Sequence, residues 1–132
     1  MKTENAVKDK SFDFALSIIE LYKMLIQHHE YVLSKQLLRS GTSIGANVEE
    51  AQAAQSKRDF VSKMTIASKE ARETRYWLKL LKRSKLVDTN EYDARLAEIE
   101  ELISLLTSIV KTSQIRYLTS IFLTLVKLPF KI

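Results

Sequence analysis

Apolar residues recur along this chain at alternating spacings of three and four, and four stretches keep that rhythm. Over 10–27, Phe12, Ala15, Ile19, Tyr22 and Ile26 make one seam, and Phe14, Ile18, Leu21 and Leu25 make a second beside it. Over 31–54 the seam is Leu37, Gly41, Ile44, Val48 and Ala51. Over 57–84 it is Phe60, Met64, Ala67, Ala71, Thr74, Leu78 and Leu81. Over 89–114 it is Tyr92, Leu96, Ile99, Ile103, Leu106 and Val110, widened by Leu102, Leu105 and Ile109. This is the periodicity of one helix face. Four such helices with short connections predict an all-α fold, an antiparallel up-down-up-down four-helix bundle over residues 1–114.

The breaks carry uneven signals. His28-His29-Glu30 separates the first two helices without a good N-cap. Ser56-x-x-Asp59 reads as a capping box for the third, and Asp88-x-x-Glu91 repeats the signal for the fourth. The first seven residues are polar and are expected to fray. Residues 115–132 form an apolar C-terminal extension, with Arg116 and Lys127 near the ends of its apolar run. Ile115 to Leu128 is shorter than the ~20 residues a spanning helix needs. It is expected to continue the fourth helix and pack on a partner subunit; a membrane-surface anchor and an unstructured tail are the alternatives.

The second helix is a poor helix by local preference. Gly41 and Gly45 each cost about 1 kcal/mol relative to alanine, and Thr42, Ile44 and Val48 are β-branched. Ser40, Gly41, Gly45 and Ala46 are all small, which lets a neighbouring backbone approach closely. The Gly-x-x-x-Gly spacing marks a membrane helix pair only in a long apolar segment, and this one carries Arg39, Asn47, Glu49 and Glu50. Asn47 is expected to bond a neighbouring helix or its end, and Glu49 and Glu50 to meet Arg39 or cations of the third helix.

Composition narrows the classes. A chain of 132 residues has room for one domain, and one proline with two glycines leaves few turns. With no cysteine, disulfides, zinc-thiolate sites and thiol catalysis are excluded. That fits a reducing cytoplasm, and residues 1–7 contain no apolar signal core. His28 and His29 are adjacent, so they do not share a helix face, and no nucleophile pattern lies near them. No Glu-x-x-His pair suggests a metal site, and no glycine loop suggests a phosphate cradle. The expectation is no enzyme, no catalytic residue, no metal, no cofactor and no small-molecule substrate.

The net charge is +5, but from Lys57 to Lys85 ten basic residues face three acidic ones. At 100° per residue, Lys69, Arg72, Arg75, Tyr76, Lys79, Lys82 and Arg83 share an arc of roughly 140° clear of the core seam. Six cations can neutralise phosphates, and the tyrosine offers a ring for stacking. A second stripe of Ile66, Glu70, Glu73 and Trp77 suits a subunit interface. The expected function is an oligomeric scaffold that binds RNA or DNA. The alternative is a protein-interaction module docking an acidic or polymerase-type partner; a membrane-surface protein is a third reading. The double apolar seams of the first and fourth helices point to a homo-oligomer.

The run Arg39-Ser-Gly-Thr-Ser-Ile-Gly-Ala-Asn-Val-Glu-Glu-Ala51, then Ser56 to Phe60, then Glu70 and Trp77-Leu78, resembles the bacterial family of 23S rRNA intervening-sequence proteins. The resemblance spans about Ser11 to Ser113 and is carried by Arg39, Gly41, Ser43, Ile44, Gly45, Asn47 and Glu50. It extends to the accessory variability determinant of diversity-generating retroelements. It implies a four-helix bundle assembled as a homopentamer, with nucleic acid and a reverse-transcriptase-type protein as partners. It supplies no catalytic residue. The apolar tail after Gln114 departs from the family's polar ending.

Overall fold

The computed structural model describes residues 2–129. They form four helices: α1 (Lys2–Gln27), α2 (Leu33–Gln52), α3 (Lys57–Ser84) and α4 (Asn90–Lys127). α2 lies between α1 and α3, and α4 closes the ring by touching α3 and α1. Cross-helix partners run in opposite directions at every interface. Ser11 faces Gly45 while Ile18 faces Gly41, Arg39 reaches Glu70 while Lys63 reaches Glu50, and Arg72 reaches Thr107 while Lys82 reaches Asp93. The architecture is the expected antiparallel bundle.

Burial follows the helical seams. Leu37, Gly41, Ile44, Val48 and Ala51 of α2 are all buried, as are Met64, Ala67, Ala71, Thr74, Leu78 and Leu81 of α3. In α1 the inner seam is Phe14, Ile18, Leu21 and Leu25, whereas Phe12 of the outer seam is 65% exposed.

The glycines of α2 set its distance from α1. A Cβ on Gly41 would sit 2.9 Å from Ile18 Cγ2, and one on Gly45 would sit 3.3 Å from the Ser11 carbonyl oxygen. Ile18 is branched at Cβ, itself 3.3 Å from the Gly41 position, and the Ser11 oxygen is backbone, so neither can swing clear. Gly41 marks the tighter point and Gly45 the contact with the α1 backbone. On the opposite side of α2, the buried hydroxyls of Ser40 and Thr74 lie 2.9 Å apart across the α2–α3 contact.

The N-terminal segment corrects the expectation of fraying. Helix α1 begins at Lys2, and Val7 is fully buried in the core. One buried aliphatic anchors two turns of otherwise polar helix.

The α1–α2 break also has more structure than its sequence signals. His29 adopts a left-handed conformation at φ 61°. Its N–H bonds the Ile26 carbonyl at 2.9 Å, while the Glu30 N–H bonds the Leu25 carbonyl at 2.9 Å, a Schellman closure without glycine. Glu30 then caps α2, its carboxylate accepting from the N–H groups of Leu33 (3.0 Å) and Ser34 (2.6 Å). Ser56 caps α3 as expected, accepting from the Asp59 N–H at 3.0 Å. At α4 the Asp88 carboxylate instead accepts from Asn90 N–H at 3.0 Å, and helix begins at Asn90.

Two polar groups lie in the core, Tyr92 on its expected seam and Arg95 unexpectedly. Arg95 is 6% exposed, and its Nε donates to the Ser17 carbonyl of α1 at 3.0 Å while Nη1 donates to the Glu91 carbonyl at 2.6 Å. Tyr92 is fully buried, and its hydroxyl has no hydrogen-bond partner among the described residues. Burial, and then the nearby Glu30 carboxylate, push its phenol above the ordinary value near 10, against the opposing charge of Arg95.

Two expected outcomes follow from this packing. Gly45→Leu should overpack the α1–α2 contact and cost on the order of 1–3 kcal/mol, read as a melting temperature lower by several degrees. A raised folded-state pKa gives Tyr92 a stabilising contribution that is present below about pH 10 and lost as pH rises through the folded value. Tyr92→Phe should therefore flatten the alkaline decline in stability measured by denaturant titration, and an unchanged decline would remove Tyr92 from the account.

Candidate nucleic-acid interface

Helix α3 holds the cations because its core seam leaves one side free, and regular helical spacing brings Lys69, Arg72, Arg75, Tyr76, Lys79, Lys82 and Arg83 to that side. All are exposed except Arg75 and Lys82, which are half-buried. Three of the seven lean toward α4. Arg75 Nη1 donates to both carboxylate oxygens of Glu100 at 3.0 and 3.2 Å, and Lys82 Nζ pairs with Asp93 at 2.5 Å. Arg72 Nη2 donates to the Thr107 hydroxyl at 3.2 Å and makes no ion pair among the described residues. Lys69, Lys79 and Arg83 make no ion pair among the described residues.

Of the ten cations between Lys57 and Lys85, three are paired: Arg75, Lys82, and Lys63 with Glu50 at 3.0 Å. Seven are left without an ion pair among the described residues. They include two that the arc starting at Lys69 omitted. Lys57 and Arg58, both exposed, fall on the same arc one helical register earlier. The face thus begins with the first turn of α3. Counting angles from the helix start, instead of from the densest cluster, brings both residues into it.

Tyr76 is 58% exposed and meets Trp77 edge to face, with ring centroids 5.1 Å apart. Trp77 packs against the core and donates from Nε1 to Glu73 at 3.1 Å. Its neighbour thus holds the tyrosine ring at the edge of the basic face.

The acidic members of the second stripe have partners within the chain. Arg39 of α2 bridges Glu70, at 3.2 Å, and Glu73. Glu50 meets Lys63 of α3 as expected, but Glu49 pairs with Lys8 of α1 at 3.7 Å. Asn47 turns back into its own helix, donating to the Ser43 carbonyl at 2.8 Å and lying 3.1 Å from the Ser43 hydroxyl. It does not bond a neighbouring helix, because its position beside the seam points it along α2. His28 and His29 are exposed, their Nδ1 atoms lying 2.9 Å from the Met24 carbonyl and the Tyr31 hydroxyl.

Fold and surface together define an all-α bundle with a cationic outer face on its third helix. The chain belongs to the family of 23S rRNA-intervening sequence proteins, which its residues 3–108 match. It is similar to a protein of unknown function from the S23 ribosomal protein family of Bacteroides thetaiotaomicron VPI-5482, with 51% identity. The two structures superpose with a TM-score of 0.80, covering 83% of this chain and 98% of that one. No curated protein matches the chain.

The Trp77–Glu73–Arg39 chain of contacts has a direct optical readout, because Trp77 is the only tryptophan. Glu73→Gln should shift its emission while changing stability by less than about 1 kcal/mol, since the ion pair is partly exposed. An unshifted spectrum would mean that Glu73 does not hold the indole in solution.

Proposed function

We propose that this protein is a non-enzymatic, oligomeric cytoplasmic scaffold that binds structured RNA or DNA through the outer face of α3. The observation that supports it best is the row of cations without an ion pair among the described residues, Lys57, Arg58, Lys69, Arg72, Lys79 and Arg83, on one side of a rigid helix. From Arg58 to Arg83 the row extends roughly 37 Å at 1.5 Å per residue, long enough to follow several phosphates. Paired cations contribute less, because a phosphate must compete with Glu100 or Asp93 for them. Contacts of this kind fix position without reading sequence, so sequence preference is weak. RNA is the first probe to use, since the family description refers to intervening sequences of 23S rRNA. Assembly as a homopentamer, implied by the family resemblance, would multiply the face fivefold.

Lys69→Glu, Lys79→Glu and Arg83→Glu together should abolish binding to a structured RNA at low salt while leaving helicity unchanged. Arg75→Gln, which removes an already paired cation, should change affinity far less. For about three phosphates per engaged subunit, the log–log salt slope should be roughly −2 to −3. Tyr76→Ala should weaken single-strand binding by about 1–3 kcal/mol if the ring stacks a base. If the wild-type chain shifts neither RNA nor DNA at low salt, the nucleic-acid reading fails. The same triple variant then tests an acidic protein partner, including the polymerase-type partner that the retroelement resemblance implies.

A further inference from the structure

Helix α4 continues without a break to Lys127, far past residue 108, where the family match ends. Inside the bundle its inward side is Tyr92, Ile99, Leu102, Ile103, Leu106 and Ile109. Beyond Val110 the apolar residues change side. At 100° per residue, Ile115, Leu118, Ile121, Phe122, Leu125 and Val126 gather on an arc of roughly 140°, whose centre is rotated about 130° from the inward seam. All six are exposed, Phe122 by 62%. The chain's own bundle cannot cover them, because α4 would have to break to fold back.

The same chain carries a second uncovered apolar feature, and it is concave. Between α1 and α2, on the side away from α4 and the basic face, Phe12, Leu16 and Ile19 form a ridge beside a floor of Gly45 and Ala46. Phe12 and Leu16 are 65% and 50% exposed, and the groove encloses about 870 Å³, room for several large apolar side chains. From Lys8 to Ile19 it is roughly 17 Å long, against roughly 20 Å for the apolar run of the tail. Its α1 rim carries Asp9 and Asp13, neither in an ion pair among the described residues. The tail has no acidic residue after Glu101, and Lys111 stands in line with its apolar arc.

We propose that the C-terminal segment of α4 docks into the α1–α2 groove of a second copy of this chain, with Lys111 against the Asp9–Asp13 rim. A tail and a groove on different parts of one surface make a head-to-tail contact, which closes as a ring or continues as a filament. Docking there leaves the basic face of α3 uncovered. The inference uses the oligomeric part of the proposed function and is independent of nucleic-acid binding.

Two full-length variants test it, each changing only exposed residues: Leu118→Glu with Phe122→Glu in the tail, and Phe12→Glu with Leu16→Glu in the groove. Light scattering at tens of micromolar should give a multimer for the wild type and monomer mass for each variant, with wild-type helicity. Mixed together, the two variants should form a 1:1 heterodimer, because one retains a groove and the other a tail. Lys111→Glu should weaken assembly, and Asp13→Lys in the same chain should restore it, which keeps the test open if a glutamate pair disturbs folding. A tail variant that keeps the wild-type mass overturns the docking but leaves oligomerisation intact. A monomeric wild type overturns both. A monomeric wild type that floats with anionic vesicles, where the tail variant does not, assigns the tail to a lipid surface.

Discussion

The close approach of α2 to α1 at Gly41 and Gly45 is the constraint on which the rest of the bundle depends. With a hydrogen in place of a side chain at Gly45, the Ser11 carbonyl comes within 3.3 Å of where a Cβ would stand. The helix accepts about 1 kcal/mol of lost propensity at each glycine because packing against α1 more than offsets it. Once α2 is seated, its other side presents Ser40 to Thr74 and Arg39 to Glu70 and Glu73, which sets the rotation of α3. That rotation turns the acidic stripe of α3 toward α2 and the cationic arc toward solvent and α4. Which way each charged side of α3 faces is therefore a consequence of how its neighbour packs.

Much of this was legible because helical periodicity is a local property. The seams of α2 and α3 could be read residue by residue, and Ser56 announced the start of α3. Periodicity cannot say which of two adjacent seams faces inward, so Phe12 and Phe14 looked alike although one is exposed and the other buried. Nor does it register a cap supplied from two residues before the usual position, as Glu30 does for α2. The buried Arg95 was invisible for a related reason. Its satisfaction comes from the Ser17 carbonyl, 78 residues away in sequence.

The candidate face shows the same division. Angular spacing placed its cations together, but the carboxylates that compensate Arg75 and Lys82 come from α4 and could not be assigned from α3 alone. These pairs leave the available charge at the ends and along the outer edge of the arc, with Lys57 and Arg58 at one end. The tail presents the reverse case. The sequence shows that it is apolar, and only the continuity of α4 shows that its apolar side has turned away from its own bundle.

The central claim is that the outer face of α3 meets phosphate. Lysine acylation, read residue by residue by mass spectrometry with and without a structured RNA at low salt, tests it most directly. The account predicts that Lys57, Lys69 and Lys79 become protected while Lys23 of α1 and Lys35 of α2, both exposed, react as before. Uniform protection of all five, or protection of Lys23 and Lys35 with α3 left reactive, would contradict it.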